Sequence, residues 1–312
     1  MAGTQLALIH SDDLLWGYSN RDEFDKVLRE VSKKYEFNRR DDPEVYRGIE
    51  IRKNGRAYTL HMSGFLSKLE KEYNLENCVR KVRSPGRTDV VRKEEAIMDQ
   101  DTVTLKKEVK RYMKFQGELN WIAVCYPGCI FMINYCARFM QNPQPRHFAM
   151  QLQVLCYAIS IKDKGITYWP LETVQELAKG YSMDCLWGAA DATWGECRKT
   201  SKSTSGHNWS TDIGIISFYS GKQANVANST CEAECWANRT CCMHGVWIRS
   251  LYQDLGFTFT GQLTFCRTML VPCIAVCKSD AHHRRSRHFR VCTHYLKELY
   301  QRGIFRFCWC QC

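Results

Sequence analysis

The sequence predicts a mixed α/β (α+β) protein, in which helices flank sheets. Three observations support this fold class. Two strand-like apolar runs flank Asn54-Gly55, which is a strong hairpin signal. Apolar residues recur at helical spacing from Val109 to Ile161. Residues 181–312 begin with strands and continue with helices interleaved with a strand, an order typical of an α/β layer.

The composition is that of a globular protein with an excess of positive charge. Of 312 residues, 45% are hydrophobic and 25% are charged. Lys and Arg outnumber Asp and Glu by 44 to 33, and the formal net charge of +11 favours a polyanionic partner such as nucleic acid. The apolar stretch Leu119–Phe139 is interrupted by Pro127-Gly128, and no export signal is found. We therefore expect an intracellular protein, cytoplasmic or nuclear, without a membrane partner.

The first eighty residues predict the order strand, turn, strand, helix, hairpin, helix. The first helix covers residues 20–37, and Asn20 with Glu23 forms a plausible capping box at its start. The second helix covers residues 64–78, after the hairpin. The charged stretch 79–111 is poor in aromatic residues, and it is expected to be an exposed basic linker.

The rest of the chain predicts helices followed by an α/β layer. The helical stretch contains two buried helices joined at Pro127-Gly128, and a boundary is expected within residues 163–180. The predicted elements beyond it are a strand at 183–194, a polar loop at 195–208, a strand at 214–220, a helix at 229–251, a strand at 261–272, a basic loop at 282–290 and a helix at 291–303.

Several motifs, in this order, resemble the C-terminal part of the Pol polyprotein of copia-type retrotransposons. The motifs are IHSDDLL (9–15), YRGIEIRKNG (46–55), the stretch from Tyr112 to Met150, GAADATW (188–194), KSTSG (202–206), GKQANVANSTCEAEC (221–235), LTFCRT (263–268) and HRRSRHFRV (283–291). Each motif alone is a weak signal, but the ordered series is specific. The resemblance implies the end of a reverse transcriptase followed by a ribonuclease H domain, and it covers almost the whole sequence.

This resemblance also implies a domain division. Residues 1–80 correspond to the C-terminal remnant of the reverse transcriptase palm, and residues 81–108 to the basic linker. Residues 109–180 form a helical connection, similar to a thumb segment, and residues 181–312 form the ribonuclease H-like domain.

Ribonuclease H chemistry needs four carboxylates around two Mg²⁺ ions, which activate the attacking water and stabilise the leaving oxygen. By resemblance, the first two acids are Asp191 and Glu232. The third and fourth acids are replaced by Arg267 and Arg290. We therefore expect Mg²⁺ not to bind productively, and we expect this degenerate copy not to cleave an RNA–DNA hybrid.

Two other carboxylates, Glu234 and Asp212, are alternative site acids. They rank lower because exposed carboxylates on helices and loops are the usual case. His244 is expected to be a surface or core histidine, and Trp187 and Trp194 are expected to pack on a strand rather than to stack on bases.

The pair Asp12 and Asp13 corresponds, by resemblance, to the metal-binding turn of the polymerase palm. Such a site needs a third carboxylate from an upstream strand and fingers to hold the nucleotide. Only residues 1–11 precede the pair in this sequence, so DNA synthesis by this chain alone is not expected.

The partner implied by resemblance is an RNA–DNA hybrid or another nucleic acid. The basic loop 282–290 is either a phosphate-binding segment or a solvated loop. The alternative function is a ribonuclease H-like module that binds nucleic acid or a protein without catalysis.

The 18 cysteines leave a third alternative open, a cysteine-rich metal protein. No Cys-x2-Cys pair occurs, which weakens the case for zinc. A site built from Cys308, Cys310 and Cys312, with His282 and His283, is the candidate. The competing interpretation is a set of scattered free thiols.

Overall fold

The computed structural model describes residues 5–76, 82–86, 102–170, 172–174, 186–197, 199–257, 261–267 and 290–309, the side chains of residues 266, 267, 308 and 309 excepted. The strands are β1 (Gln5–His10), β2 (Asp13–Tyr18), β3 (Val45–Tyr46), β4 (Ile49–Asn54), β5 (Ala57–His61), β6 (Ile166–Tyr168), β7 (Trp187–Cys197), β8 (Lys202–Thr211), β9 (Gly214–Lys222), β10 (Leu263–Arg267) and β11 (Phe305–Trp309). The α-helices are α1 (Arg21–Ser32), α2 (Ser63–Glu72), α3 (Lys106–Ile122), α4 (Ile130–Ala137), α5 (Pro145–Ser160), α6 (Thr230–Asp254) and α7 (Arg290–Gln301).

The N-terminal strands form a separate antiparallel hairpin, and α1 packs against it. A two-stranded sheet is marginal in water without further packing. Phe24 of α1 supplies that packing, because its ring stacks on Tyr18 at 4.3 Å between centroids and meets Trp16 edge-on at 5.1 Å. The Asn20 side chain accepts hydrogen bonds from the backbone amides of Asp22 and Glu23, so the predicted N-cap is confirmed.

A four-stranded antiparallel sheet follows, in the order β3-β4-β5-β6. Two-residue turns join its first three strands. Arg47 and Gly48 have φ of +52° and +78°, as a tight type I′ hairpin requires, and Gly55 has φ of +61° in the predicted Asn54-Gly55 hairpin. The fourth strand, β6, comes from beyond the helices and pairs with β5.

Helices α2 to α5 pack together into one apolar core beside this sheet. Its buried residues run from Met62 to Ile159, so the predicted palm remnant and the predicted helical connection share a core. The two predicted helices at Pro127-Gly128 are confirmed as α3 and α4, joined by a short 3₁₀ turn at Pro127–Cys129. No helix among the described residues is long and apolar enough to cross a membrane. The predicted domain boundaries remain a prediction.

The second sheet has five strands in the order β11-β10-β7-β8-β9. Strands β7, β8 and β9 are antiparallel neighbours, whereas β10 is parallel to β7 and to β11. Helix α6 covers β7 and β8, and α7 packs against α6. This mixed sheet with flanking helices confirms the predicted fold class.

The ring of Trp209 fills the space between this sheet and α6. The residue is fully buried, and its indole nitrogen donates to the carbonyl oxygen of Cys241 at 3.1 Å. Two glycines make the space: a Cβ added at Gly188 on β7 or at Gly245 on α6 would lie within 2.7 Å or 2.2 Å of ring atoms. The close approach of helix to sheet therefore depends on glycine at both positions.

The predicted polar loop at 195–208 was wrong, because residues 195–197 end strand β7 and residues 202–208 belong to strand β8. Both faces of β8 are buried, and so its polar side chains are internal. The Ser205 hydroxyl accepts a hydrogen bond from Gln223, and the Thr204 hydroxyl accepts one from Arg138. Ser, Thr and Lys are typical of loops, but here internal partners satisfy them, as burial requires.

The two sheets meet through α4, which packs on the face of the second sheet opposite α6. Arg138 and Glu196 form an ion pair there at 3.6 Å, and each side chain is only 14% exposed. Asn134 donates to the carbonyl oxygen of Ser220 at 2.6 Å, and the Tyr168 hydroxyl donates to that of Ile215 at 2.9 Å. Buried polar contacts therefore join the helical core to the five-stranded sheet.

Candidate functional site

Asp191 lies within β7, the central strand of the five-stranded sheet, and is exposed. The next residue, Ala192, donates its backbone amide to the Glu234 carboxylate at 3.3 Å. Glu234 lies in the second turn of α6 and is 5% exposed. The expectation that Glu234 is an exposed helix carboxylate was therefore wrong. The fold places this carboxylate beside the backbone that carries Asp191.

Glu232 points to a different place. Its carboxylate accepts hydrogen bonds from the backbone amide and the side-chain amide of Asn228, at 2.7 Å and 3.0 Å. Its own backbone amide donates to the hydroxyl of Ser229, the N-cap of α6. This is close to a capping box, in which a Glu three residues after the N-cap side chain satisfies amides at the helix start.

Helical spacing explains why the two glutamates differ. Residues two apart on a helix point in directions about 200° apart, because each residue turns the helix by about 100°. Both glutamates are 5% exposed, so burial does not distinguish them, but Glu234 lies on the face that it shares with Asn238, Cys241 and Gly245. The sequence contains this signal, since Ser229 and Glu232 match the capping pattern and Glu234 falls on the apolar stripe. The assignment of Glu232 as the second acid remains a prediction.

Arg267 and Arg290 begin or end elements of the same layer. Arg267 is the last residue of β10 and is in register with Ala190 of β7, the neighbour of Asp191 in the chain. Adjacent strands are about 5 Å apart, so the Arg267 backbone lies next to the position of the first acid. Arg290 is the first residue of α7, is exposed, and donates to the His294 ring nitrogen at 3.2 Å.

The donor set does not fit a pair of Mg²⁺ ions. Hard divalent cations need several oxygen ligands, and two adjacent ions need bridging carboxylates. Glu234 contacts the backbone of Ala192, next in the chain to Asp191, and an arginine occupies the adjacent position on the neighbouring strand. Within the part of the chain that the structure describes, no group of three or more His, Cys, Asp or Glu side chains could hold a metal.

Asp12 and Asp13 are exposed in the β1–β2 turn, where Ser11 has φ of +49°. They belong to the N-terminal hairpin, not to the five-stranded sheet that carries Asp191. The described residues place no third acid with them. Their role as a metal-binding pair remains a prediction.

The other sequence-predicted residues lie apart from the acids. Asp212 is in the β8–β9 turn, six residues beyond Gly206, which pairs with Asp191. Six residues of strand span about 20 Å, so Asp212 is remote from the first acid. The Trp194 indole, 53% exposed, donates to the carbonyl oxygen of Ala227 at 3.0 Å. The structure does not describe residues 282–289, 310 and 312 or the Cys308 side chain. These include most of the predicted basic loop and most of the proposed cysteine-histidine metal site.

Two histidines form a hydrogen-bonded pair between β8 and α6, and the sequence did not predict this contact. His207 of β8 is 6% exposed and shares a hydrogen bond with His244 of α6, at 3.0 Å between ring nitrogens. Burial, followed by the neighbouring His244, lowers the pKa of His207 to about 4. Burial also lowers the pKa of His244. Both rings are therefore neutral at pH 7, which fits the expectation that His244 is a packing residue.

No protein-family profile matches the chain. The chain is 24% identical over 301 residues to the retrovirus-related Pol polyprotein from transposon TNT 1-94 of Nicotiana tabacum, which covers 94% of the chain and 21% of that relative. It is 23% identical to the Pol polyprotein from transposon RE2 of Arabidopsis thaliana, over 96% of the chain and 19% of that relative. The crystal structure of RNase H1 from Halobacterium salinarum aligns with 40% of the chain and 85% of its own length, at 14% identity and a TM-score of 0.28.

The predicted resemblance to retrotransposon Pol polyproteins is confirmed by these relatives, which match almost the whole chain. The chain spans about a fifth of the length of these curated relatives.

Proposed function

We propose that this fragment of a retrotransposon Pol protein carries a ribonuclease H-like layer that does not hydrolyse RNA–DNA hybrids. The observation that supports the proposal most directly is the register of β10 against β7. Arg267 occupies the strand end beside Ala190 and Asp191, where the resemblance implies the third acid.

Electrostatics makes this replacement unfavourable for metal binding. A unit positive charge about 5 Å from a divalent cation repels it by about 7 kcal/mol at an effective dielectric near 20. Removal of a carboxylate also takes away two oxygen ligands.

The retained role is binding without cleavage. The excess of positive charge favours nucleic acid, and the resemblance suggests an RNA–DNA hybrid as the partner. The Asp12-Asp13 hairpin supplies no polymerase activity in this proposal, because the described residues bring no further acid to it.

Calorimetric titration with Mg²⁺ tests the proposal without an activity assay. The purified chain is compared with the double variant Arg267→Asp/Arg290→Asp, which restores the acids implied by the resemblance. We expect no saturable heat of binding for the natural chain and a saturable isotherm for the double variant. Saturable Mg²⁺ binding by the natural chain that Asp191→Asn abolishes would contradict the proposal.

A further inference from the structure

A second concave surface lies between the edge strand β9 and helix α6, and it includes neither Asp191 nor Glu234. This cleft encloses about 280 Å³. Its lining includes the side chains of Tyr219, Lys222, Gln223, Asn225, Trp236 and Arg239. We call this surface the β9–α6 cleft.

Two cations line the cleft, and neither is neutralised by a carboxylate among the described residues. The Arg239 guanidinium lies over the rings of Trp236 and Tyr295, 5.8 Å and 5.6 Å from their centroids. The Lys222 ammonium donates to the Cys197 sulfur at 3.2 Å. A lysine ammonium has three donor protons, so donors remain for another acceptor. The cleft therefore offers positive charge to an anion.

Aromatic surface adjoins these cations. Tyr219 is 41% exposed, and its ring stacks on His207 with centroids 5.0 Å apart, which holds the ring in place. Trp236 is partly buried, and its indole nitrogen lies 3.5 Å from a carboxylate oxygen of Glu232. Rings held this way are platforms on which nucleobases stack.

The cleft wall also holds an acceptor without a partner. The Gln223 amide nitrogen donates to the Ser205 hydroxyl at 2.9 Å and to the Ala233 carbonyl at 2.8 Å. These bonds fix the orientation of the amide. Its oxygen is buried and, among the described residues, has no hydrogen-bond partner.

We propose that the β9–α6 cleft binds one nucleotide of a single-stranded nucleic acid. The phosphate contacts Lys222 and Arg239, and the base stacks on Tyr219 or Trp236. A duplex does not fit this role, because its base faces are already stacked and its edges paired. The cleft volume is at the lower end of the range for small-ligand sites, as one nucleotide requires. The proposal does not depend on whether the acids hold metal.

Fluorescence anisotropy with labelled 12-nucleotide oligo-dT and oligo-rU tests this site in the full chain. We expect Arg239→Gln to weaken binding about tenfold and to reduce the slope of log affinity against log salt by about 0.7, the contribution of one phosphate on a single strand. Tyr219→Leu should weaken binding between about 5-fold and 150-fold if that ring carries the base, and Tyr219→Phe should retain binding. Trp236→Leu is the corresponding test of the second ring.

Controls separate this site from general polyanion binding. Lys110→Gln removes an exposed charge from α3. Because Lys110 does not line the cleft, this variant should change affinity less than about twofold. An abasic oligomer of equal length should bind more weakly than oligo-dT to the natural chain. Thermal unfolding of each variant confirms that it is folded.

Equal affinity of Arg239→Gln and the natural chain would overturn the proposal. Retention of full affinity by both Tyr219→Leu and Trp236→Leu would also overturn it. An Arg239→Gln variant that weakens binding to a hybrid duplex as much as binding to the oligomers would do the same, while it would leave the proposed loss of hydrolysis untouched.

Discussion

The Ala192 amide donates to the buried Glu234 carboxylate, and this contact fixes helix α6 against strand β7 beside Asp191. Glu234 therefore contacts the backbone of the strand that carries the first acid. Glu232 stabilises the start of α6 through Asn228 and Ser229. The two glutamates of one short motif therefore have different physical roles.

Removal of the Glu232 carboxylate should destabilise the fold. Glu232→Ala leaves the Asn228 amide without its acceptor, and we expect the free energy of unfolding to fall by about 1 kcal/mol. Urea unfolding followed by circular dichroism measures the change. Ser229→Ala is the matched variant and should have an effect of similar size. Unchanged midpoints for both variants would show that these contacts do not stabilise α6.

Breaking the buried ion pair between α4 and β7 should lower the free energy of unfolding more than loss of the Glu232 carboxylate does. Arg138→Met leaves Glu196 as an unpaired carboxylate that is 14% exposed, and such losses cost about 3–5 kcal/mol. The double variant Arg138→Met/Glu196→Leu should recover most of the loss, because no charge remains buried. Urea unfolding of both variants provides the double-mutant comparison. A double variant as unstable as Arg138→Met would argue that lost packing, not the unpaired charge, dominates.

Gly245 should tolerate no side chain. The Cβ of Gly245→Ala would lie about 2 Å from the fully buried Trp209 ring, so α6 or the ring must move. We expect a loss of about 1–3 kcal/mol of stability from this overpacking. Gly117→Ala on α3 is the control, since nothing lies within 4 Å of a Cβ added there. It should be neutral or slightly stabilising.

Lowering the pH should destabilise the protein because the buried His207 ring becomes protonated. The folded pKa of about 4 is below the ordinary value of 6.5, so the unfolded chain binds a proton first as the pH falls. The neutral ring therefore makes its full contribution to stability above about pH 6.5. As the pH falls from about 6.5 to 4, the free energy of unfolding decreases by about 3 kcal/mol in all. Urea unfolding across this range, compared with His207→Gln, isolates the effect. Equal pH dependence of both proteins would contradict it.

Cys197 should react faster than the buried thiols of Cys129 and Cys136. Burial raises its pKa, but hydrogen bonds from Thr200 and Lys222 outweigh burial and lower it below the ordinary value. Burial raises the pKa of Cys129 and of Cys136 to about 12. Iodoacetamide labelling near pH 7 with peptide mass spectrometry should modify Cys197 first, and Lys222→Gln should slow that reaction. Earlier labelling of Cys129 or Cys136 would contradict the prediction.

Local signals in the sequence predicted much of this fold. Asn54-Gly55 marked a hairpin because a two-residue turn needs positive φ, and Asn20 marked a helix start because its side chain satisfies free amides. Strand β8 was missed because its Ser and Thr residues are satisfied by partners distant in sequence, such as Arg138 and Gln223. Such tertiary hydrogen bonds override local propensity.

Only part of the geometry of the candidate site could be expected from the sequence, because the rest depends on tertiary contacts. Asp191 lies on the central strand of the five-stranded sheet, and its role as the first acid remains a prediction from its motif. The contacts of Glu232 and Glu234 differ because they lie on different sides of α6, and the capping pattern Ser229 to Glu232 is the local signal of that difference. The position of Arg267 beside Ala190 requires strand register, which only the assembled sheet provides.

The central claim is that arginine at two acid positions prevents metal-dependent hydrolysis. The most direct measurement incubates the purified chain with a labelled RNA–DNA hybrid and Mg²⁺, and resolves the products on a denaturing gel. We predict no cleavage above the protein-free control, for the natural chain and for Asp191→Asn alike. Mg²⁺-dependent cleavage by the natural chain, abolished by Asp191→Asn, would contradict the account.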